Sequence, residues 1–185
     1  SNEIIDDATS KEHISNSRLL SEVKAAALHY VENYNNYLHS RIRKFSGKAV
    51  NYHPFKFSFT TLVWEENLPE HTKVFWLKHC LEDVSELKFI QSWPDTSKQI
   101  EEAFEFMDTM YKAQFPEILN ECIRQHRNVR SSNLDDLHSF YSGFNSTVTI
   151  CKNFDLLDKF KDAIFDAALA KLPYDMKVEV YKKIK

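Results

Sequence analysis

SRLLSEVKAAALHYVENYNNYLHSRIRKFSG, residues Ser17 to Gly47, is the stretch on which the reading of the fold turns. Its apolar residues Leu20, Val23, Ala27, Tyr30, Tyr34, Leu38, Ile42 and Phe45 recur every three or four positions, the period of one helix face. Ser15 or Ser17 can accept a bond from the first-turn N–H groups, and Gly47 can adopt the left-handed conformation that ends a helix. A helix of about 29 residues is roughly 43 Å long at 1.5 Å per residue. A compact chain of this size has a radius of gyration of about 16 Å. The stretch therefore predicts one long amphipathic helix crossing the domain, its apolar stripe in the core.

Upstream, residues 1–16 set Ile4 and Ile5 among Asp6, Asp7, Ser and Thr, a mixture with too little apolar surface to order itself, and are expected to be a mobile acidic tail. Downstream, Val50, Tyr52, Phe55, Phe57 and Phe59, the last three on alternate positions after Pro54, predict a short extended aromatic segment near residues 50–59. Helical periodicity then continues to the end. Val74, Leu77, Leu81, Val84 and Leu87 form a stripe behind Pro69 that stops at Trp93-Pro94. Asp95, Thr96 or Ser97 caps a helix through Phe104, Met107 and Tyr111, and Pro116 kinks it or starts another. Ser132 with Asp135 reads as a capping box, Asn145–Lys152 as a loop, Leu156–Leu172 as a helix broken at Pro173, and Asp175 as the cap of a last helix. This is an all-α, single-domain bundle of six or seven helices over residues 17–185, with no internal repeat.

Composition agrees. The two glycines, Gly47 and Gly143, supply little for hairpins or phosphate-cradling loops, and 14% aromatic residues imply an aromatic core. No run approaches the roughly 20 apolar residues of a membrane span. Three scattered cysteines suit neither a disulfide framework nor paired zinc knuckles, and place the chain inside a cell, most simply in the cytoplasm. The missing initiator Met and the Ser-Asn opening lead us to expect a fragment of a longer protein.

The net charge of −3 hides an uneven distribution. Between Asn33 and Trp64 there is no Asp or Glu, while Arg41, Arg43, Lys44, Lys48 and Lys56 lie among aromatic residues. A second acid-free window, Cys122 to Leu134, holds Arg124, Arg127 and Arg130. Cations beside rings suit anionic lipid headgroups, phosphoproteins or single-stranded RNA. The plainer alternative is rings in the core and cations on a solvated helix end.

Catalytic patterns fail on spacing. Tyr52-His53-Pro54-Phe55 resembles the opening of the Fic motif but continues without the glycines and arginine that bind phosphate there. Arg130 and His138 resemble the pair of HEPN-type RNases, with too many residues between them. Cys122 and His126 share a helix face and His79-Cys80 offers two further ligands, yet nothing makes the four converge, so neither metal nor cofactor is expected. The carboxylate pairs lie opposite the apolar stripes. The expectation is a non-enzymatic helical module that binds another protein, with Trp64, Trp76 and Trp93 as interface candidates. Two alternatives stand beside it: a binding domain for anionic ligands, and an enzyme whose helical cleft carries no recognisable motif.

Overall fold

The computed structural model describes residues 2–131 and 133–184, with side chains from residue 8 onward. The described residues form eight α-helices: α1 (Asn2–Arg41), α2 (Tyr52–Phe59), α3 (Glu70–Leu81), α4 (Ser97–Ala113), α5 (Phe115–Gln125), α6 (Leu134–Asn153), α7 (Leu157–Ala170) and α8 (Tyr174–Ile184). Short 3₁₀ turns occupy Ala49–Asn51 and Ser85–Ser92, and one π turn at Thr60–Trp64 prolongs α2. The all-α bundle stands, with eight α-helices among the described residues where the periodicity counts six or seven.

Helix α2 replaces the expected extended segment. Tyr52, Phe55, Phe59 and Val63 are spaced by three and four residues and all four are buried, while Phe57 between them is 75% exposed. The alternation of Phe55, Phe57 and Phe59 imitates a strand only if every ring is assumed to face inward. The face that is buried packs on α4. Phe59 lies 5.6 Å from Phe104, Tyr52 lies 4.9 Å from Tyr111, and Phe45 closes the cluster 5.5 Å from Tyr111, ring centre to ring centre. These rings are the centre of a core that continues through Trp76, Leu77, Leu81 and Leu87 on one side and Phe115, Cys151 and Phe154 on the other.

Helix α1 ends at Arg41, six residues before Gly47, whose φ of 78° serves a turn in the following loop instead of a helix stop. The same ladder runs back through residues 2–16, so the helix does not begin at Ser17; the side chains of Ile4, Ile5, Asp6 and Asp7 lie outside the described residues. Its C-terminal part is the part held by the bundle. Leu38 is fully buried, the Tyr34 hydroxyl donates to the Leu62 carbonyl at 2.7 Å, and Trp76 Nε1 donates to Asn35 Oδ1 at 3.0 Å.

Of the two alternatives at Pro116 the second holds: α5 starts at Phe115, directly after a break at Gln114, with Pro116 in its first turn. Two local expectations change. Asn145–Lys152 is helical, part of an unbroken α6 in which the Thr147 and Thr149 hydroxyls donate to carbonyls four residues back. Helix α6 is capped by Asn133, whose side chain accepts the Asp136 N–H at 2.9 Å; Ser132 lies outside the described residues.

Candidate functional site

Residues 25–27 are three alanines and few β-branched residues interrupt α1, so its backbone favours helix without help from packing. Every side chain from residue 8 to residue 30 is exposed. Leu20 is 70% and Val23 59% exposed, although the spacing of Leu20, Val23, Ala27 and Tyr30 predicts a core-facing stripe. The stripe is real and the core beneath it ends at Val31. An apolar face several turns long is thus presented to solvent, flanked by further exposed Leu19 and Leu28.

The basic window divides on folding. Lys44 Nζ is held by Glu82 and by Asp83 at 3.2 Å, and the same hydrogen bonds raise its pKa. Lys56 lies 2.9 Å from Asp108 Oδ2 and over the Phe104 ring. Arg41 stands over the Tyr37 ring at 5.7 Å. Among the described residues, Arg41, Arg43 and Lys48 have no carboxylate partner. Arg41, Arg43 and Lys44 do come together, around a cleft of about 400 Å³; Lys48 and Lys56 line no part of it.

On the other side of α2 a wider cleft of about 710 Å³ opens between α2, α4 and the α6–α7 turn, lined by His53, Lys56, Phe57, Asp108, Lys112 and Asp155 among others. Asp108 accepts the Tyr52 hydroxyl and the Lys56 ammonium. Burial first, and Asp108 second, push the Tyr52 phenol far above its ordinary value, so it stays a neutral donor. Burial, against the opposing pull of Asp108, lowers the pKa of His53. Asp155 holds φ 56° in the turn. The carboxylate that would act as a base here is already taken up by two donors.

The second window is largely neutralised. Arg124 pairs with Glu121 and Arg130 with Asp136 at 2.8 Å, while Arg127 lines a small cleft shared with Asp135 and Asp136. Trp76 is 1% exposed and belongs to the core, which removes it from any surface. Trp64 is half-buried and stacked on Phe104 at 5.2 Å; Trp93 is half-buried beside the exposed Phe89, itself 5.0 Å from Phe106. Burial raises the Cys80 thiol to about 12 and raises Cys122 and Cys151 as well. Among the described residues no three His, Cys, Asp or Glu side chains are grouped to hold a metal ion, and no helix is long and apolar enough to cross a membrane.

Compared with protein-family models, with curated proteins and with solved structures, the chain matches none of them. The surface that sequence reasoning missed is the α1 stripe. Its signal is legible as periodicity, but the same period predicts a buried face because nothing in a sequence says where the core ends.

Proposed function

We propose that the protein is a non-enzymatic helical protein-interaction module, and that residues 8–30 of α1 are its docking element for an amphipathic helix of another polypeptide. The observation that carries this reading is the exposure of Leu20, Val23 and Ala27 along one side of a helix that the bundle anchors through its C-terminal part, from Tyr30, whose hydroxyl donates to Glu66 Oε2 at 3.3 Å, onward to Leu38. A single helix in water gains little from its backbone alone, and most helical stability in proteins comes from covering an apolar face. Covering this one returns about 25 cal/mol per Å² of apolar surface removed from water. A bundle that anchors one end of the helix through Asn35, Tyr34 and Leu38 presents the remainder pre-formed, which lowers the ordering cost of binding. The three free thiols, two of them buried, are consistent with a reducing cell interior. The occupation of Asp108 by Tyr52 and Lys56 and the raised thiols support a binding role over a catalytic one.

The test is site-specific photo-crosslinking in cells. A photoreactive phenylalanine analogue at position 20 or 23 should give a discrete adduct, and the same analogue at 22 or 32, on the opposite face, should give none. Equal labelling from both faces, or none from either, rejects the reading.

A further inference from the structure

The loop between α1 and α2 gathers several groups that bind oxyanions, on a wall independent of the α1 docking face. Arg41 ends α1 and Arg43 follows it; with Lys44, Ser46, Asn51 and Ser58 they line the cleft of about 400 Å³, and no Asp or Glu contributes to that lining. Lys44 is committed to Glu82 and Asp83 at the margin, which leaves the two guanidinium groups as the free cations. Guanidinium forks match phosphate oxygens in pairs.

Ser46 supplies the most specific detail. Its Oγ accepts the Lys48 N–H at 3.2 Å and the Asn51 Nδ2–H at 3.0 Å. With both lone pairs engaged, the hydroxyl hydrogen has no acceptor among the described residues and is available to a ligand in the cleft. The loop is also fixed in place. Phe45 is 3% exposed, its N–H donates to the Cys80 carbonyl at 2.9 Å, and Gly47 supplies the positive φ that turns the chain back into α2. At the entry to α2 the Tyr52 N–H is taken by the Ala49 carbonyl, and the first turn of the helix carries no acidic residue that would oppose an anion. A volume of about 400 Å³ exceeds a lone phosphate and falls in the ordinary range for small ligands.

We infer that the Arg41–Arg43–Ser46 cleft binds a phosphate monoester carried on a sugar- or polyol-sized group. Arg41 and Arg43 hold the phosphate oxygens and the Ser46 hydroxyl donates to one of them. The same chemistry belongs to a soluble sugar phosphate and to a phosphorylated inositol headgroup.

The experiment titrates the full chain with inorganic phosphate and with glucose 6-phosphate, following backbone amide resonances of residues 43–48. In parallel, the chain is sedimented with phosphatidylcholine vesicles with and without phosphatidylinositol 4-phosphate. Saturable shifts at those amides are expected. Arg41→Gln and Arg43→Gln should each weaken binding roughly tenfold or more, the size of one lost charge-assisted hydrogen bond, with Ser46→Ala losing less. Lys48→Gln, whose side chain lies outside the cleft, should leave affinity unchanged. Shifts with the soluble esters alone assign the site to a metabolite, and sedimentation alone assigns it to a headgroup. No response in any arm, an equal loss in Lys48→Gln, or tighter binding of a single-stranded RNA titrated in the same way overturns the inference. These wild-type arms decide it even if a variant fails to fold.

Discussion

The imidazole of His126 occupies the space that a side chain at position 143 would need. A Cβ built on Gly143 would overlap Cε1 and Nδ1 of that ring. The ring is kept there by Phe144, 4.4 Å away between ring centres, and by Thr147 Oγ1 at 3.3 Å from Nε2. A glycine within a helix is unfavourable by roughly 0.5–1 kcal/mol against alanine, so Gly143→Ala should stabilise the protein if propensity alone decided. We expect the reverse, a loss of about 1 kcal/mol, because His126 must leave its contacts. In a His126→Ala background the same change should stabilise by about 0.5–1 kcal/mol. Urea unfolding of the four members of the cycle checks the sign change; additivity of the two substitutions refutes the contact.

Two partly buried imidazoles set a pH dependence. Burial first, and Lys171 second, lower the pKa of His126 below its ordinary 6.5. Burial likewise lowers that of His53, with Lys56 adding to it and Asp108 opposing. A depressed histidine binds its proton more weakly in the folded than in the unfolded chain, so its contribution is complete above 6.5 and is lost as pH falls through the folded value. The urea midpoint should therefore fall between about pH 7 and pH 5, before carboxylates titrate. The double variant His53→Gln, His126→Gln should show a flatter profile across that interval. An unchanged slope would mean that neither ring is neutral for the reason given.

One anchor of α1 to the bundle is the part-buried pair of Asn35 and Trp76. Trp76 is 1% exposed and its indole N–H has Asn35 Oδ1 as acceptor at 3.0 Å. Asn35→Ala leaves that donor without a partner, which should lower stability by about 1–3 kcal/mol. For a chain of this size each kcal/mol corresponds to a fall in Tm of roughly 2–4 °C. Amide exchange in the last turns of α1 should accelerate, while that of α6 and α7 stays unchanged. Equal acceleration everywhere would show global destabilisation in place of a local anchor.

The legible and illegible parts of this fold separate along physical lines. The stripes of α3 and α4 could be read because their residues meet neighbouring elements, so period and burial coincide; on α7 the agreement is partial, with Ile164 buried and Phe165 42% exposed. On α1 they part company at Val31: Leu20 and Val23 keep the period and lose the core. Phe57 misled for the opposite reason, an exposed ring at 75% that completed a false alternation. Asn145–Lys152 looked like a loop because Asn, Ser and Thr favour turns, yet Thr147 and Thr149 bond to α6's own carbonyls. At the candidate cleft, Arg41 and Arg43 were recognisable from the acid-free window. The neutralisation of Lys44 by Glu82 and Asp83, and the orientation of Ser46 by Asn51, depend on contacts between residues the pattern treats separately.

Asp108 joins α4 to α2 through two donors of different kinds, and that difference fixes what its removal does. The Tyr52 hydroxyl is buried and its second acceptor, the Phe104 carbonyl, lies at 3.3 Å; Lys56 is partly exposed and can turn to water. Asp108→Ala should lower stability by about 1–3 kcal/mol, most of it from the phenol left with the weaker acceptor. Tyr52→Phe removes the buried donor itself and should cost about 0.5–1.5 kcal/mol. Once the phenol is gone, Asp108→Ala should cost markedly less than in the wild type, because only the partly exposed ion pair with Lys56 remains to be lost. Lys56→Gln alone should change stability by less than about 1 kcal/mol. Thermal or urea unfolding of this set measures the coupling directly. Full additivity of Asp108→Ala and Tyr52→Phe would show that the phenol and the carboxylate act separately, and the bond between α2 and α4 would then carry no cooperative part.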